Sequence, residues 1–247
     1  MRVARWVWVG RCGLLGVVLV IGVGGFGPLS ERAWGQQPLT DPRLSITVGG
    51  EFTSRNVDEK GTAGEFSGTA NSGRVLVTLA FKPIPQVTLY GVGGGADLQI
   101  DEFDGYSANM GGIYGGGLTV STDTLRGTSL FLDGRYLRFV TDDTTYPFGV
   151  PSQETITWNE YRARIGIRDR HFAVSPYGGI QVSFVRGEDH VDNYGGSPTT
   201  FDLEEQDTVG IFGGITIPLD PRGRTWFFTE FDLFDEYAIS GGLTFAL

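Results

Sequence analysis

Only two histidines stand in the 247-residue chain, His171 and His190, so few positions can serve proton-transfer chemistry. His190 lies in Gly187-Glu188-Asp189-His190-Val191-Asp192, where an adjoining carboxylate could orient its ring as a base that activates water. Asp97, Asp101 and Asp104 are the acids that could face it. His171 follows Arg170 in a short polar stretch and reads as a solvated turn residue. Glycine pairs and triplets recur, at Gly93–Gly95 and Gly115–Gly117 among others, but none leads from a strand into a helix. They are therefore not read as phosphate cradles. The acidic stretches Asp101-Glu102-Phe103-Asp104 and Asp202-Leu203-Glu204-Glu205 could attract divalent cations or a basic partner, yet neither has the spacing of a calcium loop. No catalytic set, metal site or cofactor is expected.

The larger constellation is ionic. Glu51, Arg74, Asp133, Arg135, Glu160, Arg162, Arg164, Glu230 and Asp232 fall in alternating segments, each opposite an apolar face. Buried together, charges of both signs must pair, and would plug a narrow interior. Arranged as an arginine wall facing carboxylates, they would instead line an ion path. Side chains nearly fill an interior of eight or ten strands, which favours the plug.

The elements that carry these residues have period two, the strand signature. In the last segment Tyr237, Ile239, Gly241, Leu243, Phe245 and Leu247 share one face, and Ala238, Ser240, Gly242, Thr244 and Ala246 the other. Comparable segments are 44–52, 74–81, 86–100, 109–121, 128–141, 155–168, 172–186, 207–219 and 225–234. Short connections at 82–85, 121–127, 169–170 and 220–224 alternate with long ones at 56–72, 101–107, 142–154 and 187–206. Phe234-Asp235-Glu236 forms a tight final hairpin. The pattern predicts an all-β fold: a closed antiparallel up-and-down transmembrane barrel of about ten strands, or eight if two segments belong to one strand. An arginine facing lipid at mid-bilayer costs about 2–4 kcal/mol, so Arg162 and Arg164 should point into the barrel. The opposite arrangement, an oily inside, would make a soluble periplasmic lipocalin-like binder.

Arg2, Arg5 and Arg11, an apolar run from Gly13 to Phe26, and Ala33-Trp34-Gly35 read as a signal peptide, 1–35, cleaved after Gly35. The run is about 14 residues, short of the roughly 20 that a spanning helix needs. Residues 36–42 are a short periplasmic lead-in, and 43–247 a single barrel domain. Cys12, the only cysteine, precedes the apolar run without a lipoprotein box, and the mature chain has no disulfide framework. After Gly35 stand 15 basic residues against 28 acids, which argues against a nucleic-acid partner. The long connections, with the last taken through Asp207, hold sixteen acids and one base, Lys60.

On these segments the chain resembles small outer-membrane barrels of the OmpA-like and Opa-like kind. Its most specific piece is the terminal strand with Tyr237, Ile239, Leu243, Phe245 and Leu247, similar to the signal read by the barrel-assembly machinery. That signal usually ends in phenylalanine, whereas here Leu247 is terminal and Phe245 stands two before it. The resemblance implies an outer-membrane location, the lipid bilayer and the assembly machinery as partners, and a non-enzymatic role in envelope structure or surface contact. A narrow channel for ions or small solutes is the alternative. Omptin-type proteases, also ten-stranded, use an acid–histidine pair at the loop rim; an acid beside His190 is all of that pattern found here. Neither histidine has the serine that a barrel-type lipid A deacylase would need.

Overall fold

Uninterrupted alternation predicts strands, and every regular element among the described residues is one. The computed structural model describes residues 43–61, 64–101, 106–123, 127–145, 152–169, 174–193 and 198–247. The expected leader and lead-in, 1–42, together with Asp104 and His171, lie outside the described residues. In chain order the strands are β1 (Leu44–Gly61), β2 (Gly64–Ile84), β3 (Val87–Ala96), β4 (Gln99–Asp101), β5 (Gly111–Asp123) and β6 (Thr128–Thr145). There follow β7 (Ser152–Asp169), β8 (Ser175–Asn193), β9 (Thr199–Glu205), β10 (Val209–Pro218), β11 (Thr225–Leu233) and β12 (Tyr237–Ala246).

Ten of these strands close a ring, β1–β2–β3–β5–β6–β7–β8–β10–β11–β12, in which β12 returns to pair antiparallel with β1. Closure removes the sheet edges, which no lipid could satisfy. The two remaining strands are short extensions. β4 prolongs the line of β3 along β2, and β9 pairs with β8 on one side and β1 on the other. Because β11 and β12 are short, β9 passes over their hairpin tip, and the wall there closes without them. The barrel thus has a turn end, where Pro85-Gln86 and the 219–224 turn lie, and a distal end built by long hairpins such as β1–β2. At the 219–224 turn Asp220 accepts backbone N–H groups of Arg222, Arg224 and Thr225, and Gly223 supplies the left-handed backbone that the bend requires.

Three of the stretches expected to be long loops are instead mostly strand: 56–72, 142–154 and 187–206. The reason is a change of polarity along single strands. On β7 the outward residues Ile167, Ile165 and Tyr161 are apolar, but Asn159, Thr157 and Thr155, further along the same face, are polar. The inward face runs the other way, from Arg164, Arg162 and Glu160 to buried Trp158 and Ile156. β8 repeats this: Ile180 and Phe184 are exposed below Arg186, Glu188 and His190, while inside Gln181 and Ser183 give way to Val185. On β1 Val48 and Phe52 are exposed below Ser54, Asn56 and Asp58. Below the switch the barrel is oily outside and ionic inside; above it, polar outside and oily inside. The apolar outer face of β7 runs from Tyr161 to Ile167 between polar Asn159 and Asp169, limits that suit the roughly 9–11 residues a transmembrane strand needs, and the full strand of 18 residues extends well beyond it.

Candidate functional site

Below the switch, inward alternation on the staves brings charged side chains to one level of the lumen. Glu160 of β7 is the hub, 1% exposed. It accepts Arg74 at 2.9 Å, Arg135 at 3.0 Å, Arg162 at 2.9 Å and Arg55 at 3.3 Å, from β2, β6, β7 and β1. Glu51 bridges Arg74 at 2.8 Å and Arg135 at 3.4 Å. On the facing wall Arg164 meets Glu230 at 2.7 Å and Asp232 at 2.9 Å, and Arg162 reaches Asp232 at 3.3 Å. Desolvating so many ions is tolerated only because nearly every one is shared between partners.

Eight of the nine lumen residues read from sequence therefore join one network. Asp133 lies beside it, occupied differently: its carboxylate accepts Tyr90 Oη at 3.0 Å and Thr119 Oγ1 at 2.7 Å. Sequence reasoning missed Arg55, Asp235 and Glu236, and read Glu205, which pairs with Arg55 at 3.0 Å, only as part of an acidic outer stretch. Arg55 was within reach, since Glu51, Thr53 and Arg55 continue the inward alternation of β1. Asp235 and Glu236 gave no such signal, because they sit in the β11–β12 turn. That turn folds inward: Phe234 takes a left-handed φ of 86°, and Asp235 and Glu236 are 3% and 1% exposed. Glu236 binds Arg162 at 2.7 Å and Arg55 at 2.5 Å. Asp235 accepts both Gln181 Nε2 and Ser183 Oγ, at 2.8 and 3.0 Å to one oxygen. Gly210 leaves the space that the Asp235 carboxylate fills.

Toward the turn end, aromatic rings close on the arginines: Arg164 lies 4.8 Å from the Phe212 ring centre, and Arg168 5.5 Å from that of Phe131. A Cβ added at Gly166 would stand 2.8 and 2.9 Å from the Phe131 and Phe212 rings, so this wall position must be bare. Toward the distal end Arg74 stacks on Phe139, 5.5 Å from its centre, and there the ionic layer meets the oily core. Phe139 in turn stacks on Trp158, and Leu98, Leu137, Ile156 and Leu203 pack around this core. Above it Asp189 and Glu59 are buried with Glu154 beside them. Burial and those two neighbouring carboxylates push Asp189 up to about 9, and burial raises Glu59.

The remaining candidates do not converge. His190 points outside the wall, where Nδ1 lies 3.1 Å from Thr200 Oγ1 and Nε2 3.4 Å from Asp192. Asp97 and Asp101 are also exposed, bonded to the Gly73 N–H and to Asn71, on staves remote from β8 in the ring. Among the described residues, the facing acid–histidine arrangement considered for His190 is not assembled by Asp97 or Asp101, because all three side chains turn outward. Alternation also divides Asp202-Leu203-Glu204-Glu205: Leu203 and Glu205 turn inward, Asp202 and Glu204 outward, with Glu204 on Lys60 at 2.9 Å. Among the described residues no group of three His, Cys, Asp or Glu side chains is placed to hold a metal ion. Of the terminal-strand residues, Tyr237, Ile239, Leu243 and Phe245 are on the exposed outer face, and Leu247 is 66% exposed.

No family model matches the chain, and no curated protein matches it. Solved structures do. The outer membrane protease OmpT from Escherichia coli superimposes with a TM-score of 0.53 at 10% sequence identity, covering 84% of this chain and 97% of that one. The translocator domain of the autotransporter NalP from Neisseria meningitidis gives 0.48 at 9% identity, covering 84% and 90%. At such identity the likeness to OmpT is one of fold. The fold and its exposed apolar belt define the class: a bacterial outer-membrane β-barrel. The narrower OmpA-like or Opa-like kinship rests on the sequence pattern alone.

Proposed function

We propose that this chain is a closed, non-enzymatic outer-membrane barrel that carries a rigid extension beyond the bilayer for contact at the cell surface. The observation that carries this reading is double occlusion of the interior. Glu160 and its four arginines fill one level, and the Phe139–Trp158 core fills the next. An ion following the lumen would have to break buried ion pairs and then cross an oily layer, each costing several kcal/mol. The distal wall presents Asp58, Asp101, Asp142, Glu188 and Asp202 outward, a surface suited to a basic partner or to divalent cations. The outward residues of β12 suit recognition by the barrel-assembly machinery. The turn end then faces the periplasm. The position of His190 on the outer wall supports the non-enzymatic reading.

Reconstituted into planar bilayers, the protein is expected to leave them electrically silent. Reproducible conductance steps would overturn the closed-barrel reading in favour of a narrow channel.

A further inference from the structure

Above the switch the outer wall is dominated by acids and neutral polar groups, and its bases among the described residues are Lys60, paired with Glu204, and two arginines on β6 and β8. In register across β6, β7 and β8, Arg138 pairs with Asn159 and Asn159 with Arg186. All three side chains lie on the outer face, alternating with buried Leu137 and Phe139, Trp158 and Glu160, and Val185. Two residues lower on the same face, in the same register, stand Tyr136, Tyr161 and Phe184. Below these come Leu132, Ile165 and Ile180. A basic row is thus set directly over an aromatic row, over an apolar wall, at the level where oily surface turns polar.

The row is held in place from below and from the side. Tyr136 Oη donates to Asn159 Oδ1 at 2.9 Å, and Asn159 Nδ2 donates to the Arg186 carbonyl at 3.2 Å. The Tyr136 and Tyr161 rings pack 5.0 Å apart. Neither arginine forms an ion pair among the described residues, and the Nε–H of Arg138 is buried without a partner. Glu204 stands across from Arg186 on β9 and feels its charge, but its ion pair is with Lys60 at 2.9 Å. The backbone positions of the two arginines stand about 10 Å apart, one strand between them, so their long side chains can converge on a single anionic group.

We propose that Arg138, Asn159 and Arg186 form a site for the phosphate of an anionic lipid headgroup in the distal leaflet, with its acyl chains lying on Tyr136, Tyr161 and the apolar wall beneath. Position selects a lipid over a free anion: the donors sit at the membrane boundary, and the surface below them can only be covered by hydrocarbon. Aromatic side chains at that level are the usual interfacial anchors.

The test is native mass spectrometry of the detergent-solubilised full chain, titrated with phosphatidylglycerol and, separately, with phosphatidylcholine. The wild-type chain is expected to bind phosphatidylglycerol in preference, and a parallel fluorescence titration should show that preference shrinking as salt rises. The double variant Arg138→Gln/Arg186→Gln should lose roughly thirtyfold in apparent affinity, about fivefold per arginine. Its folding is checked by heat-modifiable gel mobility. Equal binding of both lipids by the wild-type chain overturns the proposal even if the variant fails to fold. So does a preference that survives in the folded variant.

Discussion

The two halves of this barrel use the same strands and opposite chemistry. In the half near the turn end, Ile165 and Ile167 face out and Arg162 and Arg164 face in; in the distal half of the same strand, Thr157 and Asn159 face out and Trp158 and Ile156 face in. Period-two alternation is unbroken across the change, so backbone geometry does not mark it. The surrounding solvent does. Hydrocarbon cannot hydrate a charge, so polar side chains there must be sealed inside and paired. Water imposes the reverse, and the distal half is built like a soluble protein, with an oily core and a wettable wall. The aromatic row of Tyr136, Tyr161 and Phe184 stands at the boundary.

The comparison can be broken most forcefully at the hub. Glu160→Ala strands Arg55, Arg74, Arg135 and Arg162 in the lumen without their shared partner. The expected loss is about 3–5 kcal/mol, the usual penalty for uncompensated buried charge. Equilibrium urea unfolding in lipid vesicles measures it, and a loss below that of an ordinary surface change would show that the network is solvated. A paired substitution on one face of one strand sharpens the boundary. Ile165→Arg, in the middle of the apolar belt, should cost about 2–4 kcal/mol in the same assay. Thr157→Arg, on the same face of the distal half, should stay within about 0.5 kcal/mol of wild type. Equal costs at the two positions would mean that the belt does not end where the polarity changes.

The distal half can also be probed by pH. Asp189 is pushed up to about 9 from its ordinary 3.8, so between those values the folded chain keeps a proton that the unfolded chain releases. Stability of the distal half should therefore fall as pH rises across that window and level off above it. Asp189→Asn mimics the protonated form, so it should lie within about 1 kcal/mol of wild type near pH 4 and become the more stable of the two as pH rises. It should also flatten the decline toward pH 9. An unchanged slope in the variant would place the proton elsewhere.

Much of the turn-end half was legible in the sequence. The inward carboxylates and arginines of β2, β6, β7 and β11 were found because each sits opposite residues such as Val75, Leu132, Ile165 and Phe231, a contrast that alternation exposes. The distal half was misread as loops for a related reason. Around Val57 and Glu59, or Glu188 to His190, polar residues occupy the outward positions, and the apolar inward ones are too sparse to reveal a strand. Asp235 and Glu236 were hidden for a different reason, since nothing local says that a hairpin turn will fold into the lumen.

Alternation along the chain determined that this protein is a β-structure with one oily and one charged face, because side chains of a strand point to opposite sides whatever surrounds it. Which face looks outward at each height, which charges meet at Glu160, and how β9 closes over the shortened β11–β12 hairpin were decided by the closed ring. Those are relations between strands far apart in sequence, set by registers that only the assembled wall brings into contact.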